Sequence, residues 1–159
     1  MHKSVMDWAR VVVTEFGLQD KNTLEVGSYN VNGSVRELFS GKYVGVDIRE
    51  GPGVDAVVKA GVLPFADAEF DVVVSTEMLE HDSRPWLSVK EMARVCRPGG
   101  FVLITTRGFG FGKHDYPEDY WRFSMSSMEV LVKDAGLAII GLTEDPQEGH
   151  PGVFAACQK

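Results

Sequence analysis

The sequence predicts an α/β fold built on a mostly parallel sheet. Three observations carry that expectation. Helix-like and strand-like segments alternate along the 159 residues. Residues 71–76, Asp-Val-Val-Val-Ser-Thr, hold the apolar run of a strand buried on both faces. The stretch Thr23-Leu24-Glu25-Val26-Gly27-Ser28-Tyr29-Asn30-Val31-Asn32-Gly33-Ser34 reads as a buried strand, a glycine turn and a helix start.

Each element follows in order. Val5, Trp8, Ala9, Val12, Val13 and Phe16 recur at helical spacing and Gly17 stops the run, which predicts a helix over 4–17 laid on the sheet. Strand one is expected over about 22–27. A helix is expected near 31–40, with Val35, Leu38 and Phe39 on one face. Strand two spans about 42–48, Gly51-Pro52-Gly53 is a turn, and a third strand is expected over 54–60. Leu63-Pro64-Phe65 and Asp67-Ala68-Glu69-Phe70 lead into strand four. Pro85 fits the first turn of a helix ending near Val95, and Arg97-Pro98-Gly99-Gly100 blocks its continuation. Strand five covers 101–106, and 107–123 is a long aromatic loop. Ser126-Ser127-Met128-Glu129 matches a capping box, so the next helix is expected to start there and end at Gly136. Residues 137–142 and 153–157 are the last two strands. The segment between them is too short for a crossover helix, so the final strand runs antiparallel.

Size and composition fit one domain spanning 1–159, able to bury a full core without staples. The formal net charge is −7 and no Lys/Arg cluster stands out, which disfavours a nucleic-acid or anionic-membrane partner. Cys96 and Cys157 are too few for a disulfide framework and read as reduced core thiols. The first residues lack the apolar run of a signal peptide, and no segment approaches a membrane span. A cytoplasmic protein is expected.

The glycine turn carries the chemistry. Glu25 closes the first strand, Gly33 lies six residues after Gly27, and Asp47 ends the next strand twenty residues on. An acid there can accept hydrogen bonds from ribose hydroxyls, so an adenosine-type ligand is expected. The spacing is not G-x-G-x-x-G, which speaks against a nicotinamide dinucleotide.

With these motifs in this order, the chain resembles the class I S-adenosylmethionine-dependent methyltransferases. The resemblance rests on Glu25-Val26-Gly27 with Gly33, on Gly45-Val46-Asp47, on Leu63-Pro64-Phe65 before Phe70-Asp71-Val72-Val73, on Glu77-Met78-Leu79-Glu80-His81, and on Arg97-Pro98-Gly99-Gly100. It implies a Rossmann-like sheet in the order 3-2-1-4-5-7-6 with strand seven antiparallel. It also implies S-adenosylmethionine as cofactor and S-adenosylhomocysteine as product. Glu25 is then expected near the cofactor's ammonium group. Gly27, Ser28, Tyr29 and Asn30 line the turn, and Gly33 permits close helix–strand packing. Asp47 is expected to hold the ribose, with Ile48 beside the adenine. Many members carry an acid after strand three; here Lys59-Ala60-Gly61 stands there, and a charged lysine cannot accept a hydrogen bond. Adenine recognition is then expected from backbone near Ala60, Gly61 and Val62, or from Asp67. Glu77 and Met78 complete the cofactor side.

Methyl transfer needs an in-line nucleophile and, for a hydroxyl or protonated amine, a proton acceptor. His81 after strand four and His114 after strand five are the base candidates. The segment 114–123, His-Asp-Tyr-Pro-Glu-Asp-Tyr-Trp-Arg-Phe, resembles an aromatic loop of one branch of this family. Tyr116, Tyr120 and Trp121 are the candidate acceptor wall. The plainer readings stay open beside these: Glu80 and His81 tie their loop to its neighbours, and Arg122 pairs with Asp119 while Trp121 and Phe123 seal the loop. Asp145, His150 and Pro151 also emerge on this edge. Metal chemistry by clustered carboxylates would need Glu77, Asp115 and Asp145 to converge, and no metal is expected. The acceptor is expected to be a small molecule or a sugar- or lipid-linked group, with a second subunit able to close an open cleft. The rival reading is a catalytically degenerate module of the same fold.

Overall fold

The computed structural model describes residues 2–114 and 118–159. Seven strands among them form one sheet: β1 (Thr23–Val26), β2 (Tyr43–Asp47), β3 (Ala56–Val57), β4 (Phe70–Thr76), β5 (Cys96–Arg107), β6 (Ala138–Glu144) and β7 (Gly152–Gln158). Their order is β3-β2-β1-β4-β5-β7-β6. β1 to β5 pair in parallel, and β7 runs antiparallel to both β5 and β6.

The pleat sends alternate residues to opposite faces. Val72 and Val74 of β4 meet Ala9, Val12 and Val13 of helix α1 (Lys3–Glu15) in one core. Val73, between them, joins the other core, where α2 (Pro85–Val95) contributes Val89 and Met92, and α3 (Met125–Asp134) contributes Met128 and Val132. β4, whose end carries Glu77, is therefore packed from both sides. Cys96 and Cys157 are buried free thiols, and burial pushes their pKa values up to about 11 and about 12. No helix among the described residues is long and apolar enough to cross a membrane.

Several boundaries differ from the sequence reading. The helix expected near 31–40 is only a 3-10 turn over Val35–Leu38. Only six residues separate Gly33 from the backbone turn at Ser40–Gly41, whose amides both donate to Gln19 O, and that leaves no room for a full amphipathic helix. Gly33 is accordingly an exposed turn residue at φ 130°, not a helix–strand packing position. The expected third strand shrinks to Ala56–Val57. β5 begins earlier than expected: Cys96 pairs with Phe70 and Phe101 with Val72, so Arg97–Gly100 bulges out within the strand. Helix α3 also begins earlier. Ser124 caps it and forms the capping box with Ser127, two residues before the frame predicted at Ser126. A serine can serve at the third position because its hydroxyl reaches back to the cap amide as a carboxylate would.

Candidate functional site

A cavity of about 970 Å³ opens at the C-terminal ends of β1, β2 and β4. Its first wall is the end of β1. Glu25 lies there almost fully buried, and its Oε2 accepts the hydroxyl of Tyr43 at 2.9 Å. Burial lifts the Glu25 pKa to about 7, with the Tyr43 bond opposing that rise more weakly. The carboxyl is thus poised between neutral acid and carboxylate, and a cation placed beside it would tip it to the carboxylate.

The glycine turn is pinned to β2. The amides of Gly27 and Ser28 both donate to Val46 O, at 2.8 and 3.0 Å. Gly27 has φ 85°, and a Cβ there would stand 2.5 Å from Met78 Cγ. Glycine is required both by conformation and by close approach. The sequence reading gave the close approach to a ligand; the structure gives it to Met78, which lines the same cavity. Ser28 keeps a buried hydroxyl without a hydrogen-bond partner among the described residues.

Asp47 ends β2 and lines the cavity; its Oδ2 accepts the Tyr29 amide at 3.1 Å. A carboxylate has capacity for further donors. Tyr29 and Ile48 line the wall beside it, and the Arg49 guanidinium lies 4.3 Å from the centre of the Tyr29 ring. Lys59, Ala60, Gly61 and Val62 form the next stretch. Asp67 does not join them: it pairs with Arg94 at 2.7 Å. Asn30 is likewise not among the lining residues. Its Oδ1 accepts the Gly33 amide at 2.8 Å and its own amide donates to Pro52 O, so it closes the turn.

At the end of β4 the chain turns sharply. Glu77 adopts φ 53°, a left-handed conformation that costs a non-glycine residue about 1 kcal/mol. It is held by its amide, which donates to Thr105 O at 2.9 Å, and by an ion pair with the buried Arg107. Arg107 also donates to Asp145 and to His150 O. Asp145 is thereby committed to the scaffold, and neither it nor His150 nor Pro151 lines the cavity.

The other end of the cavity gathers His81, His114, Glu118 and Tyr120. A 3-10 turn, Leu79–His81, follows β4, and the amides of Tyr120 and Trp121 donate to Glu80 O, which folds the aromatic loop back onto it. The Glu80 side chain is fully buried. Its Oε2 accepts the Thr106 hydroxyl at 2.7 Å, while Oε1 has no hydrogen-bond partner among the described residues. That oxygen lies 4.0 Å from Nε2 of His81 and 4.0 Å from Nε2 of His114. The two rings stand 4.7 Å apart, edge to face. His81 Nδ1 is 2.5 Å from Glu118 O. His114 Nδ1 is 3.7 Å from Asp119 Oδ2, the oxygen that also accepts the His114 amide. Arg122 grips Asp119 through two hydrogen bonds and holds its carboxyl well below the usual range. Burial raises the Glu80 pKa and lowers that of His114, with the neighbouring His81 adding to the latter.

Both plain readings of this loop hold: Glu80 ties the loop down and Arg122 pairs with Asp119. Trp121 is not a cavity residue. Its Nε1 donates to Asp82 O and its ring packs 6.1 Å from Trp86. Tyr116 lies outside the described residues, as does Asp115. Sequence reasoning missed His2, Arg84 and Leu87, which also line the cavity. His2 sits against Phe111 and His150, a contact across the whole chain that no local pattern announces.

The model of a family described as "Methyltransferase domain" matches residues 24–104, half of the chain. The chain belongs to this methyltransferase family. An uncharacterized methyltransferase of Mycobacterium marinum is 42% identical over 67 residues, which is 41% of this chain and 26% of the relative. The matched part is thus about a quarter of that relative's length. Among solved structures, the 1,6-didemethyltoxoflavin-N1-methyltransferase of Burkholderia thailandensis superposes with a TM-score of 0.78 at 16% identity, covering 98% of this chain and 78% of that one. The putative methyltransferase of Haloferax volcanii, solved with the Trm112 activator, gives 0.77 at 16% identity over 99% and 89%. At such identities the likeness shows the fold.

Proposed function

We propose that this methyltransferase-family chain binds S-adenosylmethionine in the cavity and transfers its methyl group to a small or medium-sized acceptor, either free or sugar- or lipid-linked. One observation carries the reading. Glu25, Gly27 and Asp47 line one end of a single cavity, and His81, His114 and Tyr120 line the other. Its volume, about 970 Å³, is at the top of the usual range for ligand pockets, so a nucleoside-sized cofactor and an acceptor fit together.

The residues present fit the cofactor. Bound there, it would supply an electrophilic methyl group on a sulfonium. Glu25 would take the ammonium, becoming a carboxylate as it does so. Asp47 would accept from the ribose hydroxyls, and the buried Ser28 hydroxyl would find the partner it lacks. The segment after Gly27 supports this choice over a dinucleotide. It leads into a 3-10 turn of four residues, which offers no helix N-terminus to a pyrophosphate. The imidazoles of His81 and His114 would meet the acceptor, and Tyr120 would wall it. One observation favours a non-catalytic module of the same fold: Lys59 lines the cavity where an acid is expected from the family.

Thermal unfolding with S-adenosylhomocysteine separates these readings. A bound ligand raises the midpoint by mass action. Saturating ligand is expected to stabilise the wild type and to stabilise Asp47→Ala much less. Equal midpoints with and without ligand would reject the cofactor assignment.

A further inference from the structure

The Glu80–His81–His114 group has the construction of a metal centre. Three ligand atoms, one from each residue, lie within 4.8 Å of one another. Any three points so spaced share a position no farther than about 2.8 Å from each, so closing by about 0.7 Å per ligand reaches zinc-type bond lengths. We propose that Glu80 Oε1, His81 Nε2 and His114 Nε2 bind one divalent first-row transition ion of the zinc class, leaving a coordination position open to the cavity.

Independent features support this. Glu80 Oε1 is a fully buried carboxyl oxygen with no hydrogen-bond partner among the described residues, 4.0 Å from both Nε2 atoms. Leaving such a group unpaired is costly, and a cation would remove that cost. Glu80 and His81 also have outer partners of the kind that orient metal ligands. Thr106 Oγ1 fixes the other Glu80 oxygen and Glu118 O faces His81 Nδ1, while the Asp119 carboxylate stands 3.7 Å from His114 Nδ1 and accepts the His114 amide. The Glu118 contact places the His81 ring proton on Nδ1 and leaves its Nε2 lone pair toward Glu80. Two imidazoles with one carboxylate select zinc, iron(II) or cobalt(II) over magnesium or calcium, which prefer oxygen. His81 and His114 line the cavity, so the open position faces its interior.

The sequence reading expected no metal because it looked for carboxylates. Of those, Glu77 and Asp145 are spent on Arg107. The site uses histidine instead, contributed by two loops that meet only because the aromatic segment folds back on Glu80. On the reading proposed above, an acceptor's oxygen or nitrogen would coordinate the ion and be held for in-line attack. The metal site itself does not depend on that reading.

Untagged, chelator-treated protein titrated with zinc(II) by calorimetry, and with cobalt(II) by visible absorption, tests the proposal. One equivalent is expected to bind, with the visible bands of a low-coordinate cobalt site. His114→Ala, in a surface loop, is expected to weaken binding at least tenfold, and Glu80→Gln likewise. His150→Ala is the control for adventitious binding near His2 and is expected to bind as the wild type does. Circular dichroism shows whether the buried Glu80→Gln variant folds; His114→Ala carries the test if it does not. Absence of binding, or wild-type binding retained in His114→Ala, overturns the site. S-adenosylhomocysteine binding to the metal-free wild type, measured in parallel, tells failure of the metal site apart from failure of the cofactor reading.

Discussion

Replacing Glu25 by glutamine is expected to stabilise the free protein at alkaline pH while weakening its hold on S-adenosylmethionine. The folded-state pKa is raised from 4.5 to about 7, chiefly by burial. A carboxyl whose pKa rises on folding favours the folded state only while protonated. Its contribution is intact below about pH 4.5 and is lost as pH climbs through 7. A rise of that size corresponds to about 3 kcal/mol of cost above pH 8 and about 1.4 kcal/mol at pH 5.5. Glutamine keeps the shape and can still accept the Tyr43 hydroxyl, but it never ionises. The gap between variant and wild type should therefore widen from pH 5.5 to pH 8.5 by about 2 kcal/mol. Urea denaturation at the two pH values measures it, because every other group titrates alike in both proteins. The ligand arm runs the other way. Losing a charge-assisted bond to the cofactor's ammonium should cost about 1.5–3 kcal/mol of binding at pH 8. A stability gap that does not change with pH would refute the buried, proton-holding Glu25. Unchanged ligand affinity would remove it from the cofactor end of the cavity.

Other substitutions probe the remaining walls. Asp47→Ala should lower S-adenosylmethionine affinity by about 1–3 kcal/mol in a calorimetric titration, with the fold retained by circular dichroism. Gly27→Val should lose most binding and some stability, since its φ is 85° and its side chain would collide with Met78; full wild-type affinity would contradict the turn geometry. Met92→Ala, in the fully buried face of α2, should cost about 2–5 kcal/mol in urea denaturation without altering ligand affinity once folded. His81→Ala should leave cofactor affinity intact while turnover with an identified acceptor collapses; retained turnover would take His81 away from the acceptor.

What could be read from the sequence depended on how local its cause was. The strand carrying Val72, Val73 and Val74 declares itself because adjacent side chains must satisfy two cores at once. Asp47 and Gly27 were legible because a strand end and a turn are short-range features. The helix expected over 31–40 failed because Val35, Leu38 and Phe39 keep helical spacing even when the chain has length for only one turn. Asn30 follows the same logic: its place in the turn predicts a side chain beside the ligand, whereas that side chain completes the turn. The Glu80–His81–His114 group was visible only as separate candidates. Its convergence depends on two backbone bonds from Tyr120 and Trp121 to Glu80 O, and no spacing rule encodes them. Trp121 was read as a pocket wall from its residue type, but its indole N–H found Asp82 O instead.

Calorimetric titration of the purified wild-type protein with S-adenosylmethionine, S-adenosylhomocysteine and NAD tests the central claim most directly. The account predicts micromolar binding of the first two at one equivalent each, and no heat from NAD. Binding of NAD, or silence with both sulfur-containing ligands, would contradict it.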